Sequence, residues 1–154
     1  MTDQAKSAEL ILKLYELRRE ALMREARNWF FAFNPESFED IQRAAMSEQS
    51  AYLRMVTTYW DMACSFVNHG AIDADMFNDA NGEQVFVFAK LQPFIEQIRA
   101  NNGNPNAFRN LEQAVTTMPQ AEERLARARA MSKAIAQARA AAAAGQTEAD
   151  AANA

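Results

Sequence analysis

Several residue types are scarce in this chain, and each shortage excludes a class of protein. Four glycines and four prolines in 154 residues are too few for a turn-rich β-sandwich or β-barrel. One cysteine, Cys64, excludes a disulfide within the chain and a cysteine-based zinc cluster. One histidine, His69, excludes the paired Glu-x-x-His motifs of a di-iron carboxylate bundle. We therefore predict no bound cofactor.

Long apolar runs are also absent. Apolar runs, such as the aromatic run from Trp29 to Phe33, reach at most five residues, whereas a helix that spans a bilayer needs about 20 apolar residues. The first ten residues are polar and mixed in charge, which is not typical of a secretory signal. We therefore expect a soluble, cytoplasmic protein with no membrane span.

What the chain does contain favours helices. It is 49% hydrophobic and rich in alanine, glutamate, arginine, leucine and methionine, which are good helix formers. Apolar residues recur at steps of three and four, and this spacing predicts an all-α fold. We predict an irregular bundle of five or six helices, in which a long first helix covers 7–33 and an Ala/Arg-rich C-terminal helix is loosely attached. The other helices of the bundle are predicted near 35–46, 48–69, 74–78, 83–100 with a kink or break at Pro93, and 108–115, and the C-terminal helix is predicted over 119–144.

The same pattern suggests a division of the chain. Residues 1–118 contain the apolar stripes of a helical bundle domain, and residues 119–144 form the Ala/Arg-rich helix. The polar residues 145–154 are predicted to be a disordered tail.

Charge is unevenly distributed along the chain, whose formal net charge is −4. Residues 35–83 contain nine acidic residues against two arginines, whereas residues 124–139 contain five basic residues and no acid. Nucleic-acid binding is therefore not expected of the chain, apart from possible contact by the basic helix 124–139. An acidic partner, the acidic middle of a second subunit and plain solvation are the alternatives for that helix.

The stretch from Asp73 to Gln84 resembles a calcium loop in composition. Such a loop needs oxygen ligands at positions 1, 3 and 5, glycine at position 6 and glutamate at position 12. If Gly82 takes position 6, positions 1 and 12 are Phe77 and Phe88, which cannot bind a metal. The register that starts at Asp73 fails as well, so we predict that Asp73 caps a short helix instead.

Three consecutive aromatic residues, Trp29, Phe30 and Phe31, cannot all face one core. Some of them must cover a neighbouring helix, a loop or a partner, so these three are the candidate interface. We predict a non-enzymatic interaction or scaffold protein that forms a homo-oligomer or binds a helical protein partner.

The alternative function is that of a small-molecule-binding protein or an enzyme. Its pocket would lie between the helices predicted at 48–69 and 83–100, and its candidate lining is Tyr59, Trp60, Asp61, Cys64 and His69. No nucleophile elbow or Gly-rich phosphate loop is visible, so no catalytic residue is assigned.

Two short motifs carry a resemblance. Gly70, Ile72 and Asp73 match a G-x-I-D turn, and a K-L-x-P-x-I-x-x-x-R pattern runs from Lys90 to Arg99. With these motifs, residues 47–112 resemble a bacterial family of unknown function composed of small all-helical proteins. The resemblance implies an all-α fold and carries over no catalytic residue. The extension after Pro119 is not similar to the shared pattern.

Overall fold

The computed structural model of the protein describes residues 3–153, and within this range every regular element is helical. The predicted all-α class is therefore confirmed, although the predicted number of helices is too low. Nine α-helices and one 3-10 turn form the described range. They are α1 (Gln4–Arg18), α2 (Ala21–Ala32), α3 (Phe38–Ala45), α4 (Ser50–Asn68), α5 (Ala74–Ala80), α6 (Glu83–Leu91), the 3-10 turn (Gln92–Phe94), α7 (Ile95–Asn102), α8 (Arg109–Thr116) and α9 (Ala121–Ala152).

The single long helix predicted over 7–33 is wrong, because the chain turns between α1 and α2. Glu20 has an extended backbone, and its carboxylate accepts the amide N–H of Met23 at 2.9 Å, so it caps α2. Leu14 and Met23 are both buried. In one straight helix these two residues, nine positions apart, would point about 180° away from each other. The turn allows both side chains to reach the core.

Local capping explains where several other helices begin and end. Ser37 and Asp40 form a capping box at the start of α3, so this helix begins at Phe38 rather than at the predicted residue 35. Asp73 accepts the amide N–H of Met76 at 2.9 Å and caps α5, as predicted. Gly70 follows α4 with φ of 74°, a left-handed conformation that glycine adopts without strain.

The centre of the bundle is α6, which is buried almost all round as its apolar sequence predicts. The predicted effect of Pro93 is confirmed, since α6 ends at Leu91 and the 3-10 turn separates it from α7. α4 packs mainly against α2 and α8, and α6 packs mainly against α9. Trp60, Phe77, Phe88 and Leu111 are among the largest fully buried side chains of this core.

The last helix, α9, divides into an attached half and a projecting half. Leu125, Ala128 and Ser132 are buried against the bundle, whereas every residue from 137 to 152 is exposed. Residues 145–152 continue the helix, although a disordered tail is predicted over 145–154. The division of the chain into residues 1–118, 119–144 and 145–154 stays a prediction. Met1, Thr2 and Ala154 lie outside the described residues.

No helix within residues 3–153 combines the length and apolar character that a membrane crossing requires. The cytoplasmic location stays a prediction.

Candidate functional site

The three residues of the candidate interface point in different directions from α2. Phe30 is buried in the core. Trp29 is half-buried and stacks on Phe33, with 4.9 Å between the ring centroids. Phe31 is 43% exposed, so of the three it is the one with a large surface available to a partner.

Phe31 lies at the mouth of a cleft of ≈ 530 Å³ between α2, α6 and α9. We call it the aromatic cleft, and its apolar lining residues are Phe30, Phe31, Phe86, Val87 and Met131. Phe31 stacks on Phe86 with 5.6 Å between ring centroids, and Met131 is 49% exposed. The guanidinium of Arg139, on the projecting half of α9, lies 5.9 Å from the Phe31 ring centroid. Cation and aromatic face therefore meet where α9 leaves the bundle.

A charged network closes one end of the aromatic cleft. Arg27 and Glu83 both line the cleft. The Arg27 Nη2 atom donates to Glu83 Oε2 at 2.6 Å, and Nε donates to Oε1 at 2.9 Å. The indole N–H of Trp60 donates to the same Oε1 at 3.1 Å. The hydrogen bond from Arg27 to Glu83 raises the pKa of the guanidinium further. Two parallel N–H donors of Arg27 on one carboxylate hold this end of the cleft in a fixed geometry.

A buried lysine ties α6 to the end of α2. The ammonium of Lys90 donates to the carbonyl oxygens of Phe30 at 2.8 Å, Phe31 at 3.1 Å and Phe33 at 2.6 Å. These carbonyls lie at the C-terminal end of α2, where helical donors run out, and of the three the Phe30 carbonyl also accepts the amide N–H of Phe33 at 3.1 Å. Burial, and to a lesser extent the nearby charge of Arg139, lowers the pKa of Lys90 to about 8. Lys90 thus holds the backbone that presents Phe31.

The residues of the alternative pocket serve separate structural roles. Tyr59 donates its hydroxyl to the carbonyl of Leu14 at 2.6 Å, and burial raises the pKa of Tyr59 to about 12. Trp60 is buried and directed toward Glu83. These two residues connect α4 to α1 and to α6.

The remaining three residues of that set lie further along α4. Asp61 accepts the amide N–H of Leu111 at 2.9 Å and so caps α8 from outside. Cys64 is buried in the core, and burial raises the pKa of its thiol to about 12. His69 is exposed at the end of α4, with its Nδ1 atom 2.8 Å from the carbonyl oxygen of Ser65. A pocket lined by all five residues stays a prediction.

The basic segment 124–139 lies on both sides of the point where α9 leaves the bundle. Arg124, Arg127, Lys133 and Arg139 are exposed, and Arg129 is half-buried. The Nη1 atom of Arg129 donates to Gln92 Oε1 at 2.8 Å. Most of this positive charge is therefore open to an anionic ligand or partner.

These features define an all-helical protein with a cleft between α2, α6 and α9 that is lined by arginine and aromatic side chains. The chain belongs to the family described as Domain of unknown function (DUF4760), whose model matches residues 4–118. The expected membership of a family of unknown function is confirmed, and the match extends well beyond the motifs at 47–112. The bacterial origin expected of this family stays a prediction. Searches of the curated proteins and of the solved structures returned no match.

Proposed function

We propose that the chain is a non-enzymatic interaction protein that binds a second copy of itself through the aromatic cleft and α9. The observation that carries this proposal is the exposure of Phe31 and Met131 at the mouth of the cleft. Large apolar side chains that cluster at a surface are typical of association sites. Of the other members of the candidate interface, Phe30 lines the cleft, and Trp29 packs against Phe30 with 6.3 Å between the ring centroids.

The projecting half of α9 supports the same partner. Residues 137–152 are all exposed, and at 1.5 Å per residue they extend about 24 Å beyond the last half-buried residue. An isolated alanine-rich helix of this length is marginal in water. A second copy would supply the contacts that its own bundle does not.

The charges of α9 favour an antiparallel pair of these helices. From Arg124 onward its cations all lie at or before Arg139, and its acids are Glu148 and Asp150. An antiparallel arrangement brings the acids of one copy near the cations of the other, whereas a parallel arrangement brings like charges together. Such complementarity favours one orientation over the other.

The test measures oligomeric state by sedimentation velocity across a range of concentrations. We expect the natural sequence to be a dimer. The double variant Phe31→Gln and Met131→Gln should raise the dissociation constant of the dimer about tenfold or more, because each change removes apolar contact area. Leu12→Gln is the matched control, since Leu12 is exposed on α1 and does not line the cleft. Deletion of 137–154 should weaken the dimer while the bundle stays folded.

A monomer of the natural sequence at every concentration that stays in solution would overturn the proposal. So would a dimer that the double variant and Leu12→Gln weaken equally.

The alternative function, binding of a small molecule, is favoured by the volume of the same cleft. At ≈ 530 Å³ it falls within the range of about 300–1,000 Å³ that is usual for ligand sites. A thermal-shift screen of metabolites separates the two functions. A saturable rise in Tm that Phe31→Gln removes, in a chain that stays monomeric, supports the alternative.

A further inference from the structure

A second cavity, separate from the aromatic cleft, has mostly polar and cationic walls. It measures ≈ 260 Å³ and lies between the α2–α3 connection, the 3-10 turn and α9. Lys90, Arg129 and Lys133 line it, and its one acidic lining residue is Glu36. Three cations around one small cavity repel one another unless an anion lies between them.

Ser132 is the feature that points to a ligand. It lines this cavity, is only 3% exposed, and its Oγ atom is buried without a hydrogen-bond partner in residues 3–153. Hydroxyls within helices commonly donate to the carbonyl four residues earlier, as Thr57 does to Leu53 at 2.8 Å and Thr116 does to Glu112 at 2.7 Å. A buried hydroxyl without a partner destabilises the fold. An anion in the cavity would accept this O–H.

The three cations contribute in different ways. All three protons of the Lys90 ammonium are donated to backbone carbonyls, so this side chain supplies charge rather than a hydrogen bond. Arg129 uses Nη1 to bind Gln92, which leaves its other N–H groups for a ligand. Lys133, exposed on the rim, can close over an occupant because its stem is flexible.

We propose that this cavity binds a small oxyanion of the phosphate class, either free phosphate or the phosphoryl group of a small monoester. A group of this class carries close to two negative charges and several acceptor oxygens. Three cations and the carboxylate of Glu36 leave a net positive charge of two. A ligand with two negative charges balances it better than a singly charged carboxylate ligand would. The Ser132 hydroxyl and the Arg129 guanidinium are the expected donors. The site does not depend on association of two copies.

Isothermal titration calorimetry at fixed ionic strength tests the proposal. The probes are inorganic phosphate, phenyl phosphate as a monoester, and acetate as a singly charged carboxylate. We expect one phosphate-class anion to bind per chain, and acetate to bind at least about tenfold more weakly. Ser132→Ala and Arg129→Gln should each reduce the affinity about tenfold, which is the usual effect of removing a hydrogen bond to a charged group.

Arg127→Gln is the matched control, because it removes one positive charge from the same helix at an exposed residue that does not line the cavity. It should change the affinity by less than about twofold. Thermal unfolding without ligand checks that each variant is folded.

Saturable binding of phosphate or of the monoester, lost in folded Ser132→Ala and Arg129→Gln, supports the site. Binding of both probes shows that the phosphoryl group is sufficient, whereas binding of the monoester alone assigns the site to an organic phosphate. The proposal is overturned if neither phosphate probe binds saturably, if acetate binds as well, or if Arg127→Gln weakens binding as much as Arg129→Gln. The dimer test remains independent of each of these results.

Discussion

Replacement of Lys90 by methionine should change how the stability of the protein depends on pH. The folded protein holds the pKa of Lys90 at about 8, against 10.5 for a lysine in the unfolded chain. Between these two values the unfolded chain binds more protons than the folded one, so the free energy of unfolding rises with pH. Each unit of difference in pKa corresponds to about 1.4 kcal/mol. Burial of the charged Lys90 therefore lowers the free energy of unfolding by about 3 kcal/mol well below pH 8. About 2 kcal/mol of this loss is recovered as the pH rises from 7.5 to 10.

Urea denaturation of the natural sequence and of Lys90→Met across that pH range isolates this contribution. Other groups also titrate there, but they are common to both proteins and cancel in the difference between the two free energies of unfolding. We expect that difference, natural sequence minus variant, to increase by about 2 kcal/mol from pH 7.5 to pH 10. Methionine has a similar length and no charge, so it keeps the volume of the side chain.

Lys13→Met is the control, because Lys13 is exposed on α1. Its curve should run parallel to that of the natural sequence. Parallel curves for Lys90→Met as well would refute the reasoning, since they would mean that the three carbonyls compensate the ammonium fully for its burial.

Two further predictions concern Glu83, at the aromatic cleft, and Cys64, in the core. Glu83→Gln keeps the shape of the side chain but removes the negative charge that accepts hydrogen bonds from Arg27 and Trp60. It should lower the free energy of unfolding, measured by chemical denaturation, by about 2–3 kcal/mol. An unchanged midpoint would show that this ion pair stabilises the fold no more than a surface ion pair does. Cys64, buried with a raised pKa, should react with a maleimide only in denaturant, and rapid labelling of the folded protein at neutral pH would contradict its placement in the core.

The elements that could be predicted from the sequence are those fixed by local chemistry. Asp73 as a cap, Gly70 as a helix stop and Pro93 as a break each depend on neighbours within a few residues. The end of the first helix was missed, although a signal existed. Leu14 and Met23 lie on opposite sides of one continuous helix, and that mismatch predicts a turn between them.

The candidate sites depend on contacts between distant parts of the chain. Arg27 and Glu83 are 56 residues apart, and Lys90 reaches carbonyls 57 to 60 residues earlier. No spacing within a single sequence indicates such a pairing. One clue to Lys90 was present, because it is the only cation of α6 and directly follows five apolar residues, 85–89. A charge buried in such surroundings must find several acceptors. Neither cavity was predicted, because each requires three separate segments to meet.

The two halves of α9 have a consequence for how the protein unfolds. Loss of helix before residue 136 exposes Leu125 and Ala128, so it requires the bundle to open. Loss of helix after that point exposes no buried side chain. The distal turns can therefore unwind and reform on the submicrosecond scale of helix–coil exchange, while the proximal turns open only with the global transition. One continuous helix thus contains two separate cooperative units, with their boundary next to Arg139 and the ring of Phe31.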